Sequence, residues 1–253
     1  MPKTSRIVLV TGASSGLGRA MVQRFLHDGH HVIGVARRED ELKKLQAESP
    51  DRFAYIAGDA SSEDIINQAF DLATKQFGRP ADLVVANAGR GLGGSVATAD
   101  LAEFEAMVQI NLTGALRLMQ KAAKVMLADL EARPFPQHPH DIIAIGSVVG
   151  RNVSPFSAIY GSTKFAVHAL TEGLRREVGP KGIRVSLIEP GIVISGFQEG
   201  AGYSDETVKR FHDNWGPLPD PEHVADTIAY LTSLPPHVHA NEIMLRPTKQ
   251  DYP

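Results

Sequence analysis

The sequence predicts an α/β fold: a single domain built on a doubly wound parallel sheet with helices on both faces. Three observations lead there. Short apolar runs of strand type alternate with helical patterns along the chain, a glycine-rich turn joins the first run to the first helix, and the residues able to do chemistry fall at the ends of the runs. Right-handed crossovers between parallel strands follow from such alternation.

The elements come in this order. Ile7 to Val10 is an apolar run, followed by a helical pattern near 16 to 28 through Ala20, Met21, Phe25 and Leu26. His31 to Ala36 is the second strand; Glu39 and Asp40 then open a helix over 39 to 48, where negative charge suits the dipole. Phe53 to Ala57, a helix near 63 to 77 and Asp82 to Ala86 complete the first half, about 1 to 145 with the long pattern at 101 to 130 and a rigid surface loop at 132 to 141. The second half, about 146 to 253, follows the strand Ile142 to Ser147 with a helix at 158 to 178, strands Arg184 to Glu189 and Glu242 to Leu245, and a helix at 221 to 234. Gly12, Arg37, Asp59, Asn87, Ser147 and Pro190 lie at or just after strand ends, where open α/β sheets bind ligands.

The turn Thr11-Gly12-Ala13-Ser14-Ser15-Gly16-Leu17-Gly18 departs from the commoner dinucleotide fingerprint in its Gly-x-x-x-Gly-x-Gly spacing, but its place between strand and helix favours a Rossmann-type dinucleotide site over a plain loop. Gly12 allows the turn, Gly16 lets the backbone approach a pyrophosphate, and Gly18 lets the helix pack on the strand. The second strand ends Val35-Ala36-Arg37-Arg38, with guanidiniums where an NAD binder keeps an acid. They suit the 2′-phosphate of NADP, or else are surface charges flanking a helix.

Tyr160 and Lys164 are one helical turn apart, and Ser147 ends an apolar run thirteen positions before Tyr160. An ammonium beside a phenol favours the ionised form, bringing a pKa of about 10 closer to neutrality, where one group can both give and take a proton. Asn111 lies inside a helical pattern where a polar residue needs a reason.

Other chemistries fit less well. A net charge of −3 gives no basic face for nucleic acid. No stretch of about 18 apolar residues suggests a membrane span, and residues 1 to 6 lead into the first strand without a signal-type region, so cytoplasmic residence is the expectation. There is no Cys, and the pairs His138/His140 and His237/His239 read as loop histidines, so no metal site is expected. Gly146-Ser147-Val148-Val149-Gly150 misses the hydrolase elbow by one place.

In sequence order, Thr11 to Gly18, Asn87-Ala88-Gly89, Asn111, Ser147, Tyr160-x-x-x-Lys164 and Pro190-Gly191 resemble the motifs of the short-chain dehydrogenase/reductase family. Two departures are Ala86, where many members have a second Asn, and Ser195, where Thr is frequent. The resemblance implies a catalytic set of Asn111, Ser147, Tyr160 and Lys164. It implies cofactor contacts at Gly12, Ser14, Ser15, Gly16, Leu17 and Gly18, at Arg37 and Arg38, at Asp59 and Ala60, at Asn87, Ala88 and Gly89, at Tyr160 and Lys164, and at Pro190, Gly191, Val193 and Ser195. It implies NADP (NADPH) as cofactor, Ser147 holding a carbonyl oxygen, Lys164 on the nicotinamide ribose, and Asn111 keeping a water near the lysine.

The C-terminal stretch, with Leu234-Pro235-Pro236 and Glu242 to Thr248, resembles the NADP-dependent 3-hydroxy acid (serine-type) branch and implies a small polar substrate. For a carboxylate, Arg90 or Arg151 is the cation placed to face it, unless both are surface residues. The alternatives are a broad-specificity aldehyde/ketone reductase or a non-catalytic NADP-sensing protein. Segment 196 to 220, with Phe197, Tyr203, Phe211 and Trp215, reads as a mobile lid whose aromatics either line the substrate site or simply pack. The resemblance also implies a homotetramer, or a dimer, built on the helices at 101 to 130 and 158 to 178.

Overall fold

The computed structural model describes residues 5–153 and 157–251. Seven parallel strands form one sheet in the order β3-β2-β1-β4-β5-β6-β7. They are β1 (Ile7–Thr11), β2 (His31–Ala36), β3 (Phe53–Ala57), β4 (Leu83–Ala86), β5 (His140–Ile145), β6 (Ile183–Pro190) and β7 (Glu242–Leu245). Among them run α1 (Gly16–His27), α2 (Glu39–Glu48), α3 (Glu63–Phe77), α4 (Leu101–Val108), α5 (Ala115–Asp129), α6 (Ala158–Val178), α7 (Phe197–Gly200), α8 (Asp205–Trp215) and α9 (Pro221–Ser233). The order reverses direction between β1 and β4, which opens a crevice beyond the carboxyl ends of these two strands.

Every residue of β1, β4, β5 and β6 is buried, because helices cover both faces of the sheet. Ile7 and Leu9 pack on one side with Phe70, Met119, Met126 and Val167; Val8 and Val10 pack on the other with Met21, Phe25, Leu45 and Ile228. Each such aliphatic or aromatic side chain stabilises the fold by roughly 1.5–3 kcal/mol on burial.

Three expectations need correction. The single helix expected over 101 to 130 is α4, a π-helical turn over Gln109–Gly114, and α5. In that turn the buried Asn111 amide bonds to Arg90 and Thr163, and Gly114 approaches Ser61 so closely that a Cβ would lie 3.1 Å from its Cα. Segment 196 to 220, expected as a lid with no helix of its own, contains α7 and α8, the latter capped by the Ser204 hydroxyl accepting from the Thr207 N–H at 3.2 Å. His140 is not a loop residue but the first residue of β5, buried with Nε2 2.8 Å from Asp129 Oδ2.

A cluster of ion pairs ties the amino ends of the strands together. Arg6, just before β1, donates to Asp82 Oδ1 at 2.9 Å and to Asp141 Oδ2 at 2.6 Å. Arg184 of β6 donates to Asp141 Oδ1 at 2.7 Å, Arg133 to Asp82 Oδ2 at 2.7 Å, and Arg79 also reaches Asp82. Three guanidiniums outweigh the cost of burial at Asp82 and hold its carboxyl down to about 2. No motif in the sequence announced this cluster.

Candidate active site

At the carboxyl end of β1, Gly12 has φ 71° and donates its N–H to the Val35 carbonyl at 2.8 Å, so the chain turns sharply toward β2. Gly18 sits against this turn, and a Cβ there would collide with the Gly12 carbonyl and lie 2.7 Å from Asn87 Nδ2. α1 therefore starts hard against the strand end. Its N-cap Ser15 makes no side-chain cap bond and its first turn holds no acid, so the dipole and N–H groups of Gly16 and Leu17 are not neutralised by a side chain.

Thr11 joins the two sides of the crevice. Its hydroxyl oxygen accepts from the N–H of Asn87 and of Ala88, both at 3.1 Å, while Asn87 Nδ2 donates to the Thr11 carbonyl at 2.8 Å. At the next strand ends, Arg38 Nε donates to Ser14 Oγ at 3.2 Å, Arg37 is exposed beside it, and Asp59 Oδ1 accepts from the Ser61 N–H at 2.8 Å just after the buried Ala60. A Cβ on Gly89 would lie 2.9 Å from Asn111 Oδ1.

The sixth strand closes the other side. Pro190 accepts from Ser147 Oγ at 3.4 Å, and Gly191 donates to the Leu245 carbonyl at 2.6 Å. Gln198 of α7 then holds the loop: its Oε1 accepts from Ser195 N at 3.0 Å and its Nε2 donates to the Val193 carbonyl at 2.7 Å. A Cβ on Gly16 would lie 3.4 Å from Ser195 Cβ, so the first and sixth βα loops meet across the crevice.

Ser147, Tyr160 and Lys164 converge beneath these loops. The Ser147 side chain adjoins the Tyr160 phenol and favours its ionised form. Lys164 is buried, donates from Nζ to the Ile145 carbonyl at 2.7 Å and lies 5.6 Å from the Tyr160 ring centre. Phe197 covers the Tyr160 ring with centroids 5.4 Å apart, and Ala201 and Phe197 crowd Gly91. Tyr203, Phe211 and Trp215 form a second aromatic string along α8.

The electrostatics correct one expectation. Burial raises the Tyr160 pKa, helped by Tyr203, and the Ser147 side chain only partly opposes it. Burial also brings Lys164 down to about 8. At 5.6 Å from the ring centre, with its proton directed to Ile145, the ammonium is not what sets the phenol, which stays protonated at neutral pH.

The Asn111 side chain is held by Arg90 and Thr163. Its Oδ1 accepts from the Arg90 N–H at 2.8 Å, and its Nδ2 donates to the Arg90 carbonyl at 2.9 Å and to Thr163 Oγ1 at 3.1 Å. The Arg90 guanidinium pairs with Glu103. Arg151 is engaged by two glutamates: Nη2 donates to Glu189 Oε1 at 2.8 Å and Glu242 Oε2 at 2.6 Å, and the bonds to these glutamates raise its pKa. Among the described residues no group of three His, Asp or Glu could hold a metal ion. Sequence reasoning missed Thr163, Gln198 and His168. Of these His168 had a signal, since it continues the stripe of Tyr160 and Lys164 by one more turn.

A switch-point crevice between two βα loops, floored by Ser147, Tyr160 and a buried Lys164, is the site of an α/β oxidoreductase. The profile of the short chain dehydrogenase family matches residues 6–204, and the chain belongs to that family. It is 30% identical over 245 residues to an uncharacterized oxidoreductase of Staphylococcus aureus, covering 96% of this chain and 98% of the relative. Two solved structures superpose closely. A serine dehydrogenase complexed with NADP+ does so with TM-score 0.84 and 28% identity, over 97% of this chain and 96% of that one. The 3-ketoacyl-(acyl-carrier-protein) reductase of Brucella melitensis complexed with NADH does so with TM-score 0.86 and 25% identity, over 96% of this chain and 98% of that one.

Proposed function

We propose that this protein is an NADP-dependent oxidoreductase interconverting a small polar alcohol and its carbonyl by hydride transfer, with Tyr160 as general acid/base. The observation that carries this reading is the meeting of Ser147, Tyr160 and the buried Lys164 on the floor of the β1/β4 crevice. The residues present fit a dinucleotide: α1 opens with no side-chain cap and no acid, and Gly18 is a position a side chain would block. The turn from Gly12 to Gly18 would hold the pyrophosphate, with Asp59, Ala60, Asn87, Ala88, Gly89 and the loop from Pro190 to Ser195 along the remainder. Arg37 and Arg38 would take a 2′-phosphate, since no acid stands at the end of β2.

Bound there, a nicotinamide supplies or takes the hydride. Ser147 hydrogen-bonds the substrate oxygen, exchanging its phenol contact for it, and holds that oxygen against Tyr160. Tyr160 gives its proton to the oxygen during reduction and takes one back during oxidation; a phenol whose pKa burial raises is loaded for the first of these steps. Lys164, fixed by Ile145, offers its ammonium to ribose hydroxyls, and Asn111 keeps the Arg90 peptide and Thr163 in register around the pocket.

A 3-hydroxy acid agrees with the serine dehydrogenase likeness. A neutral aldehyde or ketone is the second reading, favoured by the pairing of Arg151 with Glu189 and Glu242 and by Phe197 over Tyr160, with segment 196 to 220 acting as a lid. NADPH and NADH oxidation, measured side by side over a panel of aldehydes, ketones and 3-oxo acids, tests all of this. Turnover with Tyr160→Phe equal to the parent would remove it. Leu116 and Phe165 point outward from α5 and α6 and are part of a tetramer face in this proposal, which light scattering checks; residence is taken as cytoplasmic. No helix among the described residues is long and apolar enough to cross a membrane.

A further inference from the structure

α6 carries Tyr160, Lys164 and His168 at successive turns of one face, and the third of these has no part in the chemistry above. The His168 ring occupies a slot whose walls are glycine: a Cβ on Gly146 would run into its Nε2, and a Cβ on Gly150 into its Cε1. From that slot Nε2 accepts the backbone N–H of Ser147 at 3.3 Å, while Nδ1 faces Glu189 Oε2 at 3.8 Å. Glu189 is buried and bonded to Arg151, the residue that follows Gly150. The turn from Gly146 to Arg151 is thus clasped on one side by the imidazole and on the other by an ion pair.

We propose that His168 is a positioning residue for Ser147: a neutral imidazole with its proton on Nδ1, accepting the Ser147 N–H and so aiming the Ser147 hydroxyl at the oxygen shared with Tyr160. This rests on the role given to Ser147 above. A protonated His168 would present an N–H to the Ser147 N–H, two donors facing each other, and the clasp would open. The charged groups facing the ring are Glu189 from β6, Lys164 from its own helix, Arg151 from the clasped turn and Glu242 from β7. Burial, with Lys164 and Arg151, keeps the ring neutral against the pull of the two glutamates.

Two variants and one spectrum test this. His168→Leu removes the acceptor, whereas His168→Gln keeps an acceptor at the reach of Nε2 without a titrating group. With NADPH and 4-nitrobenzaldehyde as probe, His168→Leu is expected to lower kcat about tenfold with NADPH affinity unchanged, and His168→Gln to recover most of the rate while losing the acid limb of the pH profile. On a Ser147→Ala background, His168→Leu should then cost nothing further. Long-range proton–nitrogen spectra of histidine-labelled parent protein, assigned with His168→Gln, should show the Nδ1–H tautomer whatever the enzyme's substrate. An Nε2–H tautomer, parental kcat in His168→Leu, or an equal loss on the Ser147→Ala background overturns the proposal. A parent that reduces no carbonyl while showing the Nδ1–H tautomer would overturn the oxidoreductase chemistry and with it the purpose given to the clasp.

Discussion

The side chain of Asn111 closes on the peptide backbone of Arg90 from both ends, Oδ1 on its N–H at 2.8 Å and Nδ2 on its carbonyl at 2.9 Å. This bridges the π-helical turn to the segment after β4, and the bond to Thr163 ties both to α6. Asn111→Leu, of similar volume, strands both backbone groups of Arg90, while Thr163 Oγ1 keeps its bond to the Tyr160 carbonyl. The variant is expected to cost roughly 2 kcal/mol in a urea melt and to lower kcat about tenfold or more, because the segment after β4 loses its register. Parental kcat in a folded variant would show that the clasp has no bearing on turnover.

Lys164 is expected to trade stability for activity. Its pKa of about 8 in the folded chain lies below its ordinary value of 10.5, because burial penalises the charge. That penalty is complete below pH 8, and stability is recovered as pH rises from 8 toward 10.5. Lys164→Met should therefore raise the urea midpoint at neutral pH, by about 1 to 2 kcal/mol after the loss of the Ile145 bond, and the gain should vanish in strong alkali. The same variant should be inactive. A destabilised Lys164→Met at neutral pH contradicts the assignment of burial as the cause.

Arg37 and Arg38 should separate the two dinucleotides. Replacing both with Ala is expected to weaken NADPH about tenfold to a hundredfold in a fluorescence titration and to leave NADH within about twofold, since only the former carries a phosphate for guanidiniums to pair with. Equal weakening of both would mean that these arginines hold the loop, through Ser14, rather than the ligand.

Asp82 governs behaviour in acid. Its carboxyl titrates at about 2 instead of the ordinary 3.8, so the stability it contributes is complete above about pH 4 and is lost as pH falls through 2. Asp82→Asn leaves Arg6, Arg79 and Arg133 short of their shared partner. At neutral pH it should cost about 3 to 5 kcal/mol by denaturant melt, with the difference from the parent shrinking in acid. A difference independent of pH would place the loss in packing instead.

The architecture was legible in the sequence because each strand is a short apolar run and each turn has its own punctuation. β2, β3 and β7 fall where the runs fall, and α2, α3 and α6 span their patterns. The strand-end residues Gly12, Asn87, Ser147 and Pro190 meet around one crevice as their positions foretold. What stayed hidden depends on contacts between distant residues. Nothing near Gln109 marks a π-helical turn, and its Asn111 finds its partner at Arg90, twenty-one positions away. The glutamates that engage Arg151 lie 38 and 91 positions on. The effect of Lys164 on Tyr160 was misjudged because helical spacing gives proximity but says nothing of how much water the fold removes.

The ion pairs from Arg6 to Arg184 fasten β1, β4, β5 and β6 at the end of the sheet remote from the crevice. The pairs that fasten the sheet thus stand apart from the crevice, and substitutions in the stretches 90 to 100 and 196 to 220, which touch none of those arginine–aspartate pairs, leave that anchorage whole.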